Sequence, residues 1–162
     1  MIPRMSYELM KWLHALSGTL LLGGGFGSAF HLVLASARRN PAEAAAAARK
    51  ILRFDAAVGA PAAVFQIAGG AWLLGRLDLP WTTDWVLWST VFYAGVIALW
   101  IPVIVLEVRM RRIAAEAARA AAPLPHSYWA SFFAWMVLGM AGFALFAAIL
   151  WLMLVKRLPV AA

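Results

Sequence analysis

The chain has 162 residues, of which 65% are hydrophobic and 13% charged, against about 25% charged residues in ordinary soluble domains. This composition excludes a soluble globular domain and a disordered chain. The chain contains no cysteine, which excludes disulfides, thiol nucleophiles and cysteine-ligated metals, and its net charge of +7 has to be interpreted by position.

Four segments free of Asp, Glu, Lys and Arg are long enough to cross a bilayer, which takes about 20 residues of α-helix. The spans predicted around them are approximately 10–37, 54–76, 84–108 and 127–155. Because backbone groups in hydrocarbon must pair within their own segment, helices are the expected form. The sequence therefore predicts an all-α, polytopic membrane protein, a single domain over 1–162 built as a four-transmembrane-helix bundle.

The first span carries a histidine about one turn inside the membrane interface, where ionisable residues are functional candidates. His14, Gly18 and Gly25 lie on one stripe of the helix. A histidine above small residues leaves room for a flat ligand, which predicts a haem pocket with His14 as axial ligand. The alternative is that the glycines allow close helix packing and that His14 hydrogen-bonds a neighbouring helix.

The same span holds further candidates on either side of this stripe. Met10, one turn before His14, is a candidate metal ligand beside it. His31 lies about 25 Å further along the helix, so the two histidines cannot share a ligand. Gly23 and Gly27 have the Gly-x-x-x-Gly spacing, which predicts a homo-oligomer formed through that face.

A helix is expected to begin ahead of the second span. The motif that indicates it is Asn40-Pro41-Ala42-Glu43, which has an N-cap residue, a proline at the first helical position and a glutamate at N3. It predicts a helical extension over approximately 40–53 that runs into the span. Gln66, near the middle of the span, is expected either to bridge two helices or to contact a ligand. Pro61 is expected to kink the helix.

The third span contains Pro102, which is expected to kink the helix shortly before Glu107. A second alanine-rich extension follows over approximately 109–122, and Pro123-Leu124-Pro125 ends it before the fourth span.

The predicted topology brings titratable residues together at one end of the bundle. Asp55 and Glu107 are candidate catalytic residues that exchange protons, and the basic residues there could bind a carboxylate or phosphate. An interfacial salt-bridge layer that closes the bundle is the alternative. The residues expected at this level are His31, Arg53, Asp55, Glu107, Arg109 and His126.

Lysine and arginine are unequally divided between the two ends of the bundle, with nine at one end and five at the other. Because cytoplasmic loops are enriched in these residues, both termini are predicted to be extracytoplasmic, in a bacterial inner membrane. The basic residues then orient the chain in the membrane and contact lipid headgroups. The expected partner is therefore the lipid bilayer and not nucleic acid.

Several motifs together resemble one bacterial family. They are Lys11-Trp12-Leu13-His14, Gly27-Ser28-Ala29-Phe30, Ala60-Pro61 with Gln66, Trp100-Ile101-Pro102-Val103-Ile104, Arg109-Met110, Pro123-Leu124-Pro125 with Tyr128-Trp129, and Trp151-Leu152-Met153. The family they resemble is that of predicted integral membrane proteins catalogued as domain of unknown function 2269. This resemblance covers nearly the whole chain and implies a four-span inner-membrane protein without an assigned activity.

The first span is also similar, more distantly, to the start of the HemJ-type protoporphyrinogen oxidase and to copper-resistance D membrane proteins. In the HemJ type an early Leu-His precedes a stretch of small residues, and a second histidine closes the span. His14 and His31 occupy the corresponding places. The similarity implies that the chain binds haem b or porphyrin.

Three functions stay open on the sequence alone. The first is a membrane redox protein that binds haem b or porphyrin through His14 and passes electrons to an unidentified redox partner. The second is a transport or copper-handling protein that uses Met10 and His14. The third is a structural or partner-binding membrane subunit. The sequence does not decide whether the chain is an enzyme.

Overall fold

A computed structural model describes residues 4–156, and within this range every regular element is helical. The prediction of an all-α chain with four helices long and apolar enough to span a membrane is confirmed. The elements are α1 (Arg4–Ala37), α2 (Pro41–Phe54), a π-helical turn (Asp55–Gly59), α3 (Ala60–Leu77), α4 (Asp84–Arg119) and α5 (His126–Val155).

The start of α2 has the cap that its sequence predicts. The Asn40 side chain accepts hydrogen bonds from the backbone N–H groups of Ala42, at 2.9 Å, and Glu43, at 3.3 Å. Pro41 follows in the first turn, where no N–H donor is needed. Glu43 does not reach back to Asn40 but pairs with Arg38 at 3.2 Å, across the turn from α1.

The second membrane helix contains a π-turn where the sequence predicts a kink. α2, the π-turn and α3 form one continuous helix from Pro41 to Leu77. The N–H of Ala60 donates to the carbonyl of Asp55, five residues earlier, instead of four. Pro61 comes next and has no N–H, so the wider turn accommodates a residue that an ideal α-helix would not. Pro102 lies inside α4, which continues through it.

The helices pack as two antiparallel pairs, α1 with α3 and α4 with α5, while α2 lies against α4. Within the described range no Cα of α3 comes within 8 Å of α4 or α5. Long side chains cross the space between the pairs instead; for example, the Tyr93 hydroxyl donates to the carbonyl of Ala63 at 2.9 Å.

The hydrophobic core lies toward one end of the bundle. We call this end, which carries the α1–α2 and α4–α5 connections, the basic side, and the opposite end the terminal side. Small residues from α2 and α4 meet larger residues from α1 and α5 there. Core members include Leu32, Ala44, Ala48, Met110, Ala114, Tyr128 and Trp135.

The helices are longer than a bilayer requires. At 30 to 37 residues each, they measure about 45 to 55 Å by their helical rise. The hydrocarbon layer is about 30 Å thick, so the helices extend well beyond it. The alanine-rich parts of α2 and α4 allow close helix contact on the basic side, with their charged residues facing outward.

Candidate functional site

A polar network connects α1 and α3 at membrane depth. His14 lies about 15 Å from the start of α1, and Gln66 lies about 17 Å from the end of α3, so the two meet at matching distances from the terminal side of these membrane-spanning helices. Gln66 Nε2 is 3.2 Å from His14 Nε2, and Gln66 Oε1 is in hydrogen-bond contact with Ser17 Oγ. Gln66 thus bridges two helices, as one of the predictions for it stated.

The Gln66 amide admits two proton arrangements in this network. As the amide is placed, Ser17 Oγ–H donates to Gln66 Oε1 and Gln66 Nε2–H donates to Nε2 of His14, so Nδ1 carries the ring proton. Ser17 Oγ also lies 2.9 Å from the backbone carbonyl of His14, and its hydroxyl has one proton to donate. If the nearly isosteric amide nitrogen and oxygen are exchanged, Ser17 donates to that carbonyl, the amide nitrogen donates to Ser17, and the amide oxygen accepts from Nε2–H of His14.

In the exchanged arrangement the remaining nitrogen of His14, Nδ1, has a free lone pair. Nδ1 is buried and has no hydrogen-bond partner. It faces two glycines of α3, because a Cβ on Gly69 would lie 3.5 Å from Nδ1 and one on Gly70 would lie 3.2 Å from Cε1. The sulfur of Met10 would be 3.7 Å from the same Cβ on Gly69. An imidazole nitrogen and a thioether sulfur thus converge on Gly69.

The glycines predicted to form a haem notch lie in different surroundings. A Cβ on Gly18 would be 3.4 Å from the Gln66 amide, so Gln66 fills the space beside Gly18. Gly25 is exposed, and a Cβ there would meet no atom within 4 Å. Gly25 also lies about 16 Å along α1 from His14. The structure does not bring Gly18, Gly25 and His14 around one cleft.

The titratable residues predicted on the basic side also separate. His31, Arg53, Arg109 and His126 are exposed. Within residues 4–156, the only ion pair joins Arg38 and Glu43, and both of these side chains are exposed. The structure thus does not assemble the predicted group into a salt-bridge layer or a single anion site.

Asp55 and Glu107 are held by tryptophans instead. The indole N–H of Trp100 donates to Asp55 Oδ2 at 3.3 Å, and that of Trp135 donates to Glu107 Oε1 at 2.9 Å. Glu107 is 2% exposed, and its Oε2 has no partner. This second site lies about 35 Å from the start of α4, near the basic side of the membrane.

Sequence reasoning missed several of these partners. Ser17 follows His14 by three residues, so helical spacing could have placed it in the network. Gly69 and Gly70 are adjacent small residues three and four positions after Gln66, which is also a usable signal. The roles of Trp100 and Trp135 depend on how the helices are rotated about their axes, for which the sequence carries no signal.

The chain matches a family model described as "Predicted integral membrane protein (DUF2269)" over residues 8–157. The chain belongs to this family. No curated protein and no solved structure matches this DUF2269 protein. Membership agrees with a multi-pass protein in a lipid bilayer and assigns no activity, so any functional proposal must come from the two polar sites.

Proposed function

We propose that this DUF2269 protein is a copper-handling membrane protein that binds copper(I) between Met10 and His14. The observation that supports this most is the buried, unpaired Nδ1 of His14 beside the sulfur of Met10. Thioether sulfur and imidazole nitrogen are ligands that copper(I) accepts, whereas harder cations prefer oxygen. Both ligands lie on one face of α1, one turn apart.

The second coordination shell supports the same proposal. A metal-bound histidine usually donates its other N–H to a fixed acceptor, which sets the tautomer and the orientation of the ring. With its amide oxygen turned toward Nε2 of His14, Gln66 supplies that acceptor from α3, and Ser17 in turn orients the amide. In that orientation the free protein holds His14 in the form that binds a metal.

Haem b is a second candidate, since a free Nδ1 is also what an axial ligand requires. Gly69 and Gly70 lie against the histidine ring, and Gln66 fills the space beside Gly18. These residues do not fit a macrocycle in the described packing, and a haem would require α1 and α3 to move apart. Haem binding, with the redox role and the unidentified electron partner, therefore stays a prediction.

The setting is proposed to be a bacterial inner membrane with the basic side in the cytoplasm. The nine lysines and arginines on that side support this orientation, because positively charged loops are retained there. The copper site would then lie in the outer half of the membrane, where transport would begin or end.

Copper(I) titration of the detergent-purified protein tests the proposal, with a chromophoric chelator as competitor. We expect one copper(I) per wild-type chain, loss of this binding in His14→Ala and at least about tenfold weaker binding in Met10→Leu. His31→Ala is the matched control, because His31 is an exposed histidine on the same helix. Equal affinity in wild type and His14→Ala would refute the copper site.

The absorbance spectrum of the same sample tests haem. A Soret band in the wild type that disappears in His14→Ala would show that His14 binds haem, and the copper proposal would then be replaced by haem binding. A colourless protein that binds copper(I) through His14 would remove the haem prediction.

A further inference from the structure

An open groove on the basic side runs along α4 and reaches the start of α5. Its volume is about 580 Å³, within the range of about 300–1,000 Å³ that is typical of small-molecule sites. One part of the groove is apolar and is lined by Ile104, Val105 and Val108. The other part, nearer the end of α4, is polar and includes Arg109, Arg112 and Ser127. The groove therefore changes from apolar to basic along the helix axis.

This change falls at the boundary between hydrocarbon and headgroups. Val105 lies about 32 Å and Arg112 about 42 Å from the start of α4, and the hydrocarbon layer is about 30 Å thick. Asp84, which opens α4, is exposed, and Arg109 is the next exposed charged residue along the helix. With Asp84 at the terminal-side interface, the apolar part of the groove lies at the edge of the hydrocarbon. The two arginines then lie at the level of the headgroups.

The two arginines are free to bind an anion. They lie three residues apart on one face of α4, and both are exposed. Within residues 4–156 the only ion pair joins Arg38 and Glu43, so no carboxylate oxygen lies within 4.0 Å of either guanidinium. Two arginines and Glu116 leave the groove with a net charge of +1. Guanidinium groups bind phosphate oxygens through paired N–H donors, which makes phosphate the anion that fits best.

Ser127 adds a donor from the second helix. It lies in the first turn of α5, and its side chain is exposed. Its hydroxyl can donate to an acceptor in the groove, and the N-terminal end of a helix favours negative charge. The polar part of the groove thus supplies donors from two helices, whereas the apolar part supplies none. A molecule that matches both parts has an anionic head and an apolar tail.

We propose that this groove binds one anionic phospholipid from the leaflet on the basic side. The phosphate lies on Arg109 and Arg112 and accepts from Ser127, and one acyl chain lies along the apolar part of the groove. Basic pockets between membrane helices bind anionic headgroups by the same combination of charge and depth. The site lies at the opposite end of the bundle from the proposed copper site and does not depend on copper binding.

Native mass spectrometry of the protein in a neutral detergent tests the proposal. The protein is titrated with phosphatidylglycerol and with phosphatidylcholine that carries the same acyl chains, so that only the headgroups differ. Each basic residue near a headgroup contributes about fivefold in affinity, so we expect one phosphatidylglycerol to bind about 30-fold more tightly. Equal affinities for the two lipids would overturn the proposal, and this comparison requires no variant.

Two double variants show whether the preference belongs to this groove. Arg109→Gln with Arg112→Gln should bind both lipids equally. Arg49→Gln with Arg53→Gln is the matched control, because it removes two exposed arginines from the basic side outside the groove, and it should keep the preference. A preference retained by the groove variant, or lost equally by the control, would assign it to the general surface charge and refute the site.

Glycerol 3-phosphate separates a lipid from a soluble phosphate compound, because it has the phosphate and no acyl chain. At the concentrations at which phosphatidylglycerol binds, we expect it not to displace the lipid, since it makes no contact with the apolar part of the groove. Displacement at those concentrations would overturn the lipid proposal and make the groove a site for a soluble phosphate.

Discussion

Gln66 is the residue on which the protonation of His14 depends. In lipid, an amide without partners would be costly, and Gln66 avoids this by bonding two residues of α1. When the amide oxygen faces Nε2, Nδ1 on the other side of the imidazole ring keeps a lone pair against Gly69, and when the amide nitrogen faces Nε2, Nδ1 carries the proton instead. The orientation of one amide on α3 therefore determines whether His14 can bind a metal through Nδ1.

Gln66→Leu removes this control while keeping a side chain of similar length. Nε2–H of His14 would lose its acceptor, so the ring could adopt the other tautomer and rotate. We expect the copper(I) affinity to fall by about 10- to 100-fold, as is typical when the partner of a metal-bound histidine is removed. The competition titration used for His14→Ala measures this change.

The control for Gln66→Leu is Ile67→Leu, a change at the next position of α3, where the side chain is exposed. It should bind copper(I) like the wild type. If Gln66→Leu also retained full affinity, the tautomer assignment for His14 would be wrong.

At the scale of the helices, one glycine of α1 lies in close contact and its neighbours do not. A Cβ on Gly24 would lie 2.5 Å from the Phe54 ring at the end of α2, closer than real Cβ contacts. Gly23 and Gly25 have nothing within 4 Å of a Cβ. The glycine run therefore allows α1 to approach α2 at Gly24, while Gly23 and Gly25 leave α1 open to lipid or to a second copy.

Gly24→Ala and Gly25→Ala should therefore change stability in opposite directions. Gly24→Ala must displace the Phe54 ring, and overpacking of this kind costs about 1–3 kcal/mol. Gly25→Ala meets no neighbour and should stabilise α1 by about 0.5–1 kcal/mol, because alanine loses less backbone entropy in a helix. Thermal unfolding in detergent measures both effects, and equal melting temperatures would contradict the close contact at Gly24.

The sequence predicts the helices better than their contacts. The spans follow from charge-free length, and the start of α2 follows from the Asn40 cap, because both signals are local. A π-turn precedes Pro61, where the sequence predicts a kink, since a proline shows that the helix must adjust but does not show by which geometry. Trp135 reaches Glu107 across 28 residues, and such a pair depends on how α4 and α5 are rotated against each other.

The candidate site was predictable in part for the same reason. His14 and Gln66 stand out because polar residues are rare at membrane depth. Their contact requires α1 to pack on α3, and the free Nδ1 requires the geometry of Ser17 as well. Helical spacing predicts that Gly25 lies on the same face of α1 as His14. It does not show whether one ligand can extend along the helix from His14 to Gly25.

At the scale of the whole molecule, the two ends of the bundle differ in packing and in charge. Helices α1, α2, α4 and α5 contribute to a core on the basic side, whereas toward the terminal side the pairs α1–α3 and α4–α5 are joined mainly by long side chains. The copper site proposed at Met10 and His14 lies within the α1–α3 pair, and the buried hydrogen bond between Trp135 and Glu107 lies within the α4–α5 pair. The orientation of the bundle decides which side of the membrane each site serves.

Cysteine labelling tests that orientation directly, because the chain has no cysteine of its own. Thr82→Cys would place an exposed thiol in the loop between α3 and α4, and Ala46→Cys would place one on the exposed face of α2. If the nine basic residues hold their side in the cytoplasm, a membrane-impermeant maleimide should label Thr82→Cys in intact cells. Ala46→Cys should react only after the cells are permeabilised, and the cysteine-free parent chain should react in neither case. The opposite pattern would invert the bundle, so that copper(I) would reach His14 from the cytoplasm.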